Sequence, residues 1–335
     1  MTYRVCLIEG DGIGREVVPA GRLVLEATGL SFAFSAAEAG WGTFERLGTA
    51  LPAATVEAVR AADATLFGAV SSPLRPVEGY RSPIVALRRE LGLYANLRPV
   101  LSQPVPTSRE GIDMLIVREN SEGLYAGRER SDGSEAVTER VVTRRASARI
   151  TRLACQLAAR RRRRLTIVHK ANVLRATCGL FREAALSVAA EFPNLEVEEM
   201  LVDATAMRLI VEPQRFDVLV TTNLFGDILS DEAAALVGGL GLAPSGNIGE
   251  AAAIFEPVHG SAPDIAGQGI ANPLATFLAC AMLLDHLGEA AAAASVRRAV
   301  EGVLRRRLFT PDLGGAETTN AITEAVVASV RRDTP

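Results

Sequence analysis

Five short apolar runs, separated by helical stretches, constrain this chain more than any other feature. They are Tyr3–Glu9, Ala64–Val70, Ile112–Arg118, Leu165–His169 and Phe216–Thr222, and each has the length of a buried strand. Between them lie amphipathic stretches such as Arg15–Thr28, Ala146–Arg160 and Leu180–Glu191, which read as helices. Strands alternating with helices predict an α/β fold, and ligands of open α/β sheets gather at strand ends. Several of these runs close on polar residues there. The 335 residues suffice for two domains, and no linker, repeat or low-complexity segment marks their boundary. Arg130–Ala136 reads as an exposed turn between two strand-like pieces.

Bulk properties remove several classes of function. With 48% hydrophobic and 22% charged residues, the chain can bury a large core. A net charge of −3 gives no general attraction to nucleic acid or an anionic membrane. The N-terminus turns polar too soon for a signal peptide, and Leu274–Leu284 is far short of the roughly 20 residues a membrane helix needs. Cys6, Cys155, Cys178 and Cys280 stand far apart with no Cys-x-x-Cys pair, which suits a reducing compartment and packing roles. A cytoplasmic protein with no membrane or nucleic-acid partner is expected. The five arginines Arg160–Arg164 read either as a phosphate-binding patch or as a solvated helix end that complements the macrodipole.

Candidate chemistry sits in a few places. Gly10-Asp-Gly12-Ile-Gly14 follows a strand, but its spacing is not that of G-x-G-x-x-G; it fits a tight turn as well as a nucleotide loop. Asp227 and Asp231 are four apart on one face of a helix, near its expected start. With Asp203 they form an all-oxygen set suited to Mg²⁺ or Mn²⁺, or they are ordinary helix-start carboxylates. Arg88, Arg98 and Arg118 would suit a di- or tricarboxylate if they converged. Lys170 follows a buried strand and is a candidate base, and the Tyr125 phenol a candidate acid. In Glu256-Pro-Val-His-Gly-Ser-Ala-Pro-Asp264, small residues would let backbone approach a ligand. Asp264 there could bind a ribose diol and would repel a 2′-phosphate, favouring NAD over NADP.

Arg118-Glu-Asn-Ser-Glu-Gly-Leu-Tyr125, Asn223-Leu-Phe-Gly-Asp-Ile-Leu-Ser-Asp231 and His259-Gly-Ser-Ala-Pro-Asp264 together resemble the β-decarboxylating dehydrogenases. The resemblance runs from Glu9 to Gly315. It implies an isocitrate/isopropylmalate dehydrogenase-like fold of two α/β domains, not a true Rossmann fold. Residues 1–98 with 250–335 would form a large domain with the NAD site, and 99–249 a small one with the dimer interface. It further implies a homodimer with shared active sites, Lys170 and Asp203 coming from the neighbour, and leaves a tetramer open. Arg88, Arg98 and Arg118 match the arginines that hold substrate carboxylates, and Asp203, Asp227 and Asp231 match metal ligands. Ser72 and Asn172 match positions near substrate and nicotinamide, as do Val70 and Ser71. Gly260, Ser261, Ala262, Pro263, Asp264, Ile265 and Asn272 match the adenosine side. Lys170 would remove the hydroxyl proton and Tyr125 protonate the enolate.

The loop from Val70 to Arg88 should face the variable part of the substrate. Arg75, Arg81 and Ser82 suit a carboxylate tail better than an isopropyl group. Ser82-Pro-Ile-Val-Ala-Leu-Arg-Arg-Glu90 resembles the homoisocitrate enzymes of the α-aminoadipate route to lysine. Homoisocitrate is the expected tricarboxylate substrate, with dual use of isocitrate as the alternative; one methylene discriminates by only about 1–3 kcal/mol.

Overall fold

The computed structural model describes residues 1–73, 75 and 77–333. Leu74 and Pro76, part of the expected substrate-facing loop, lie outside them. The chain divides into two compact units. One holds residues 1–93, 103–108 and 238–335; the other holds 94–102 and 109–237.

The first unit opens with β1 (Thr2–Gly10), α1 (Gly14–Ala27) and β2 (Ser31–Ala36). Then follow α2 (Trp41–Leu47), α3 (Ala53–Ala61), β3 (Ala64–Ala69) and α4 (Pro83–Glu90). In the second unit β4 (Ala95–Leu101) and β5 (Asp113–Glu119) precede a small hairpin of β6 (Glu129–Ser131) and β7 (Ala136–Thr138). Next come α5 (Arg144–Ala159), β8 (Arg164–His169), α6 (Thr177–Ala189), β9 (Glu196–Leu201) and α7 (Val202–Val211). β10 (Val218–Thr221) and α8 (Asn223–Ala235) complete that unit. The chain then returns to the first unit with β11 (Pro244–Ile248), β12 (Ala253–Pro257), α9 (Leu274–His286), α10 (Ala290–Arg305) and α11 (Thr319–Asp333).

Strand order in the first unit is β2-β1-β3-β12-β11, parallel except that β11 runs against β12. In the second it is β4-β5-β10-β8-β9, parallel except that β4 runs against β5. Parallel strands covered by helices are apolar on both faces, which is why the five runs show little alternation. β3 is buried at all six positions. α9 is buried on almost every side, and its Phe277 and Leu283 pack with Leu66, Phe255, Val300 and Val326. The second unit has its own core of Ile116, Val168, Phe216, Leu219 and Leu229.

The unit boundaries fall at 93/94 and 237/238 rather than at 98/99 and 249/250. β4 pairs with β5 over its whole length, from Ala95 opposite Glu119 to Leu101 opposite Asp113, so a cut at 98 would break a ladder. Pro244–Ile248 pairs with β12 and therefore belongs with the first unit. The turn of the β6–β7 hairpin is Asp132–Glu135, narrower than Arg130–Ala136 because Arg130, Ser131 and Ala136 pair in the strands; there Asp132 Oδ1 accepts from the backbone of Ser134 and Glu135 at 2.8 Å each. Those bonds pull the Asp132 carboxyl down to about 2.

The arginine run spans the end of α5, where Arg160 is the C-cap, and the start of β8. α5 stops at Ala159, and Arg164 already starts β8. Arg161 Nε donates to Asp217 Oδ1 at 2.9 Å and its Nη2 to Asp113 Oδ1 at 2.6 Å. Arg164 pairs with Glu196 at 2.8 Å. Asp217 is buried, so its charge depends on these partners. Arg161→Ala should therefore cost about 1.5–3 kcal/mol of stability in urea unfolding, as a charged hydrogen bond is lost. Exposed Arg160→Ala should change it by less than about 0.5 kcal/mol.

Candidate active site

Arg118 is the penultimate residue of β5 and is 1% exposed, an arginine inside the second unit. A buried guanidinium must be paired and its donors satisfied. Asn223, the first residue of α8, accepts from its Nε at 3.1 Å and its Nη2 at 2.7 Å. Asp227 Oδ1 accepts from its Nη1 at 2.5 Å. Arg98 on β4 is fixed in the same way: Asn96 accepts from its Nε at 2.8 Å. Arg98 then donates to Asp231 at 2.9 Å and to Asp227 at 3.5 Å. Tyr125 donates its hydroxyl to Asp227 Oδ2 at 2.6 Å, and the Arg118 guanidinium lies 5.3 Å from its ring centre. Burial, then the Asp227 carboxylate, pushes the Tyr125 phenol above its ordinary value, so the proton stays on at neutral pH.

Five of the expected residues thus form one cluster: Arg98, Arg118, Tyr125, Asp227 and Asp231. The two aspartates do stand one helical turn apart on a shared face, but not at a helix start. α8 begins at Asn223, so the first turn contains no acid and Asp227 opens the second. Their charge is balanced by guanidinium groups rather than by the helix dipole. Gly226 lies within the helix. A Cβ there would sit 2.7 Å from Arg118 Cβ and 2.6 Å from its Cγ, so only glycine lets the arginine pass against α8.

Asp203 and Lys170 make a second, separate pair. Lys170 Nζ donates to Asp203 Oδ1 at 2.6 Å, and the ammonium holds that carboxyl below the usual range. Asn172 is exposed two residues on. The preceding His169 is buried and locks the turn: its Nδ1 accepts from Ala171 N at 3.2 Å, while its Nε2 faces Glu199 at 3.3 Å. Two oxygen-donor carboxylates on one helix face suit a hard divalent cation. Among the described residues, however, no three acidic, histidine or cysteine side chains group in a way that could hold a metal.

The first unit holds the other expected residues. Arg88 on α4 donates to Asn247 at 3.0 Å and to Glu256 at 3.3 Å, and Asn247 also donates to Glu256 at 2.7 Å. The Gly10–Gly14 turn turns out to be a packing device. Ile13 N donates to Ser261 O at 2.9 Å and Asp11 N to Ala69 O at 2.7 Å, which leaves no open amide cradle there. Gly12 has φ of +55°, and a Cβ would fall 2.0 Å from Ser261 O. Gly260, Pro263 and Asp264 are exposed, whereas Ala262 and Ile265 pack towards Ile13. The Asp264 carboxylate has no hydrogen-bond partner among the described residues. The Asn272 amide donates to Asp312 at 2.9 Å and accepts from Leu274 N at 3.0 Å, so it fastens the start of α9. Val70 and Ser71 are half-buried and Ser72 is exposed, at the end of β3.

Sequence reasoning missed Asn96, Asn223, Asn247 and Glu256, the side chains that aim the three arginines. The only signal was a polar residue at the end of an apolar run, as in Thr221-Thr-Asn223. Gly226→Ala should displace Arg118, lowering kcat/KM at least tenfold, a loss of about 1.4 kcal/mol in transition-state binding. Far-UV circular dichroism should stay unchanged, since alanine favours the helix.

The sequence profile described as Isocitrate/isopropylmalate dehydrogenase matches residues 4–326. The isocitrate/homoisocitrate dehydrogenase of Thermus thermophilus is 59% identical over 99% of both chains. The 3-isopropylmalate/3-methylmalate dehydrogenase of Methanocaldococcus jannaschii is 50% identical over 99% of this chain and 100% of its own. Among solved structures, isocitrate dehydrogenase from Methylococcus capsulatus superposes with a TM-score of 0.94 at 47% identity, covering 98% of this chain and 99% of that one. Profile, sequence relatives and fold agree, and the chain belongs to the isocitrate/isopropylmalate dehydrogenase family of decarboxylating dehydrogenases.

Proposed function

We propose that this enzyme carries out NAD-dependent oxidative decarboxylation of homoisocitrate to 2-oxoadipate, with isocitrate as a second substrate. The observation that carries the reading is the cluster of two fixed guanidinium groups and two carboxylates around Tyr125. Arg98 and Arg118 are aimed by Asn96 and Asn223, so little further ordering is needed when they receive substrate carboxylates. Arg88, braced by Asn247 and Glu256, serves the same end. Asp203, Asp227 and Asp231 would hold Mg²⁺ or Mn²⁺, which when bound favours ionisation of a C2 hydroxyl and withdraws charge as carbon dioxide leaves. In the free chain Arg98 bridges Asp227 and Asp231, and a substrate carboxylate would draw it off them. Lys170 would take the hydroxyl proton as a neutral amine, its ammonium proton having first passed to solvent, and Tyr125, protonated at neutral pH, would return one to carbon. Ser72 and Asn172 bind near substrate and nicotinamide. Gly260 to Ile265 and Asn272 would receive the adenosine, with Asp264 suited to accept from the ribose hydroxyls.

The substrate choice rests on the polar loop before α4. Arg81 is exposed and Ser82 half-buried there, and both favour a carboxylate-bearing tail over an isopropyl group. A relative named for isocitrate and homoisocitrate supports this, while one named for 3-isopropylmalate makes that substrate the second reading. Turnover should need a divalent cation and fall to background with EDTA. kcat/KM should be higher for homoisocitrate than for isopropylmalate by at least tenfold; the reverse order would defeat the substrate assignment.

Among the described residues no hydrogen bond or ion pair joins Lys170 or Asp203 to the arginine cluster, and the complete site is proposed to join two copies. Met207, Ile210 and Val211 on α7, Ile228 on α8, and Val173 and Leu174 beside Lys170 are all exposed apolar side chains. Such a concentration suits a homodimer interface. Lys170→Met and Tyr125→Phe chains, each inactive alone, should regain about a quarter of wild-type activity on random mixing, because half the pairs are mixed and each mixed pair has one intact site. No recovery, despite mixed dimers seen by native mass spectrometry, would place both residues in one chain's site.

A further inference from the structure

We propose that Asp11, acting through Ser71 and Ser261, is a positioning residue that fixes the nicotinamide-facing loop 70–72 against the adenosine-facing loop 260–265. It thereby makes the two ends of the dinucleotide bind as one ligand. This rests on the dinucleotide reading above.

Asp11 is only 6% exposed and lies in a turn whose glycines are engaged in packing. Its carboxylate accepts three backbone N–H groups from two different segments. Trp41 N donates to Oδ2 at 2.7 Å, Gly42 N to Oδ1 at 2.9 Å and Ser71 N to Oδ2 at 2.9 Å. Backbone donors hold a carboxylate in one place because they have no rotamers to lose. The same segment closes on Ser71 from the other side: Trp41 and Phe44 of α2 flank the Tyr80 ring, each with centroids 5.4 Å from it. Tyr80 then donates its hydroxyl to Ser71 O at 2.8 Å. Ser71 is thus gripped at its N–H and its C=O, and its hydroxyl is left to reach across to Ser261 Oγ at 2.8 Å. Ser261, 7% exposed, returns its carbonyl to the turn through Ile13 N at 2.9 Å.

The two loops are 190 residues apart in sequence, yet one hydrogen bond and one shared turn set their separation. A ligand that touches only the adenosine loop has no need of this link, whereas one that spans both does. If the loops drift, the second contact becomes an added ordering cost instead of a gain from effective concentration.

Binding of NADH, followed by its fluorescence, and of ADP-ribose, which lacks the nicotinamide, separates this role from mere structural support. Asp11→Asn places an amide donor against backbone donors; NADH Kd should rise roughly tenfold while ADP-ribose Kd stays within about twofold. Ser71→Ala, Ser261→Ala and the double variant remove only hydroxyl groups and decide the matter if Asp11→Asn does not fold. The double variant should lose no more NADH affinity than either single one. Equal weakening of both ligands, unchanged NADH binding, or additive losses in the serine cycle would overturn the positioning role. Wild-type protein that binds neither ligand would instead overturn the dinucleotide reading on which it rests.

Discussion

A guanidinium buried in protein is tolerable only where every donor has an acceptor, and Arg118 imposes that condition on its whole neighbourhood. It requires Asn223 at the first position of α8, a carboxylate at Asp227 and no side chain at Gly226. Those three demands place α8 against β5, and with it Asp231 beside Arg98. The cluster is therefore one solution to a desolvation problem. Its parts cannot be exchanged singly, because removing one partner leaves another charge uncompensated.

The same economy of position governs the first unit. Its Gly10–Gly14 turn resembles a nucleotide loop in composition, but its amides and its free space are taken up by Ala69 and Ser261. What the turn contributes is attachment: it is the common anchor for the ends of β3 and of the loop after β12. Beyond that anchor Gly260 and Asp264 stand exposed, with the Asp264 carbonyl accepting from Gln268 Nε2 at 2.8 Å and its carboxylate left outside these bonds.

Charge elsewhere in the molecule is handled by local pairing. Of the arginines between α5 and β8, Arg161, Arg162 and Arg164 are matched to Asp113, Asp217 and Glu196, while Arg160 and Arg163 are exposed to solvent. The four cysteines are buried and unpaired. Burial raises Cys155 to about 11, which keeps it an inert thiol. No helix among the described residues is long and apolar enough to cross a membrane.

Much of the site was legible in the linear sequence because the residues involved lie at the polar ends of apolar runs. Arg118 lies one residue from the end of β5, Lys170 follows β8, and Asp227 and Asp231 are spaced by one helical turn. Strand and helix periodicity is a local property, so the α/β class and the common face of the two aspartates followed from sequence alone. The helix start at Asn223 was missed although Thr222 stands at its N-cap; the threonine hydroxyl makes no cap bond and instead accepts from Arg140 at 2.8 Å. Only the tertiary structure decided that Asn96, Asn223 and Asn247 aim the arginines, that Asn272 serves α9, and that Ser71 meets Ser261. Each of those depends on a contact between segments 2 to 190 residues apart, where side-chain direction and desolvation, not sequence spacing, choose the partner.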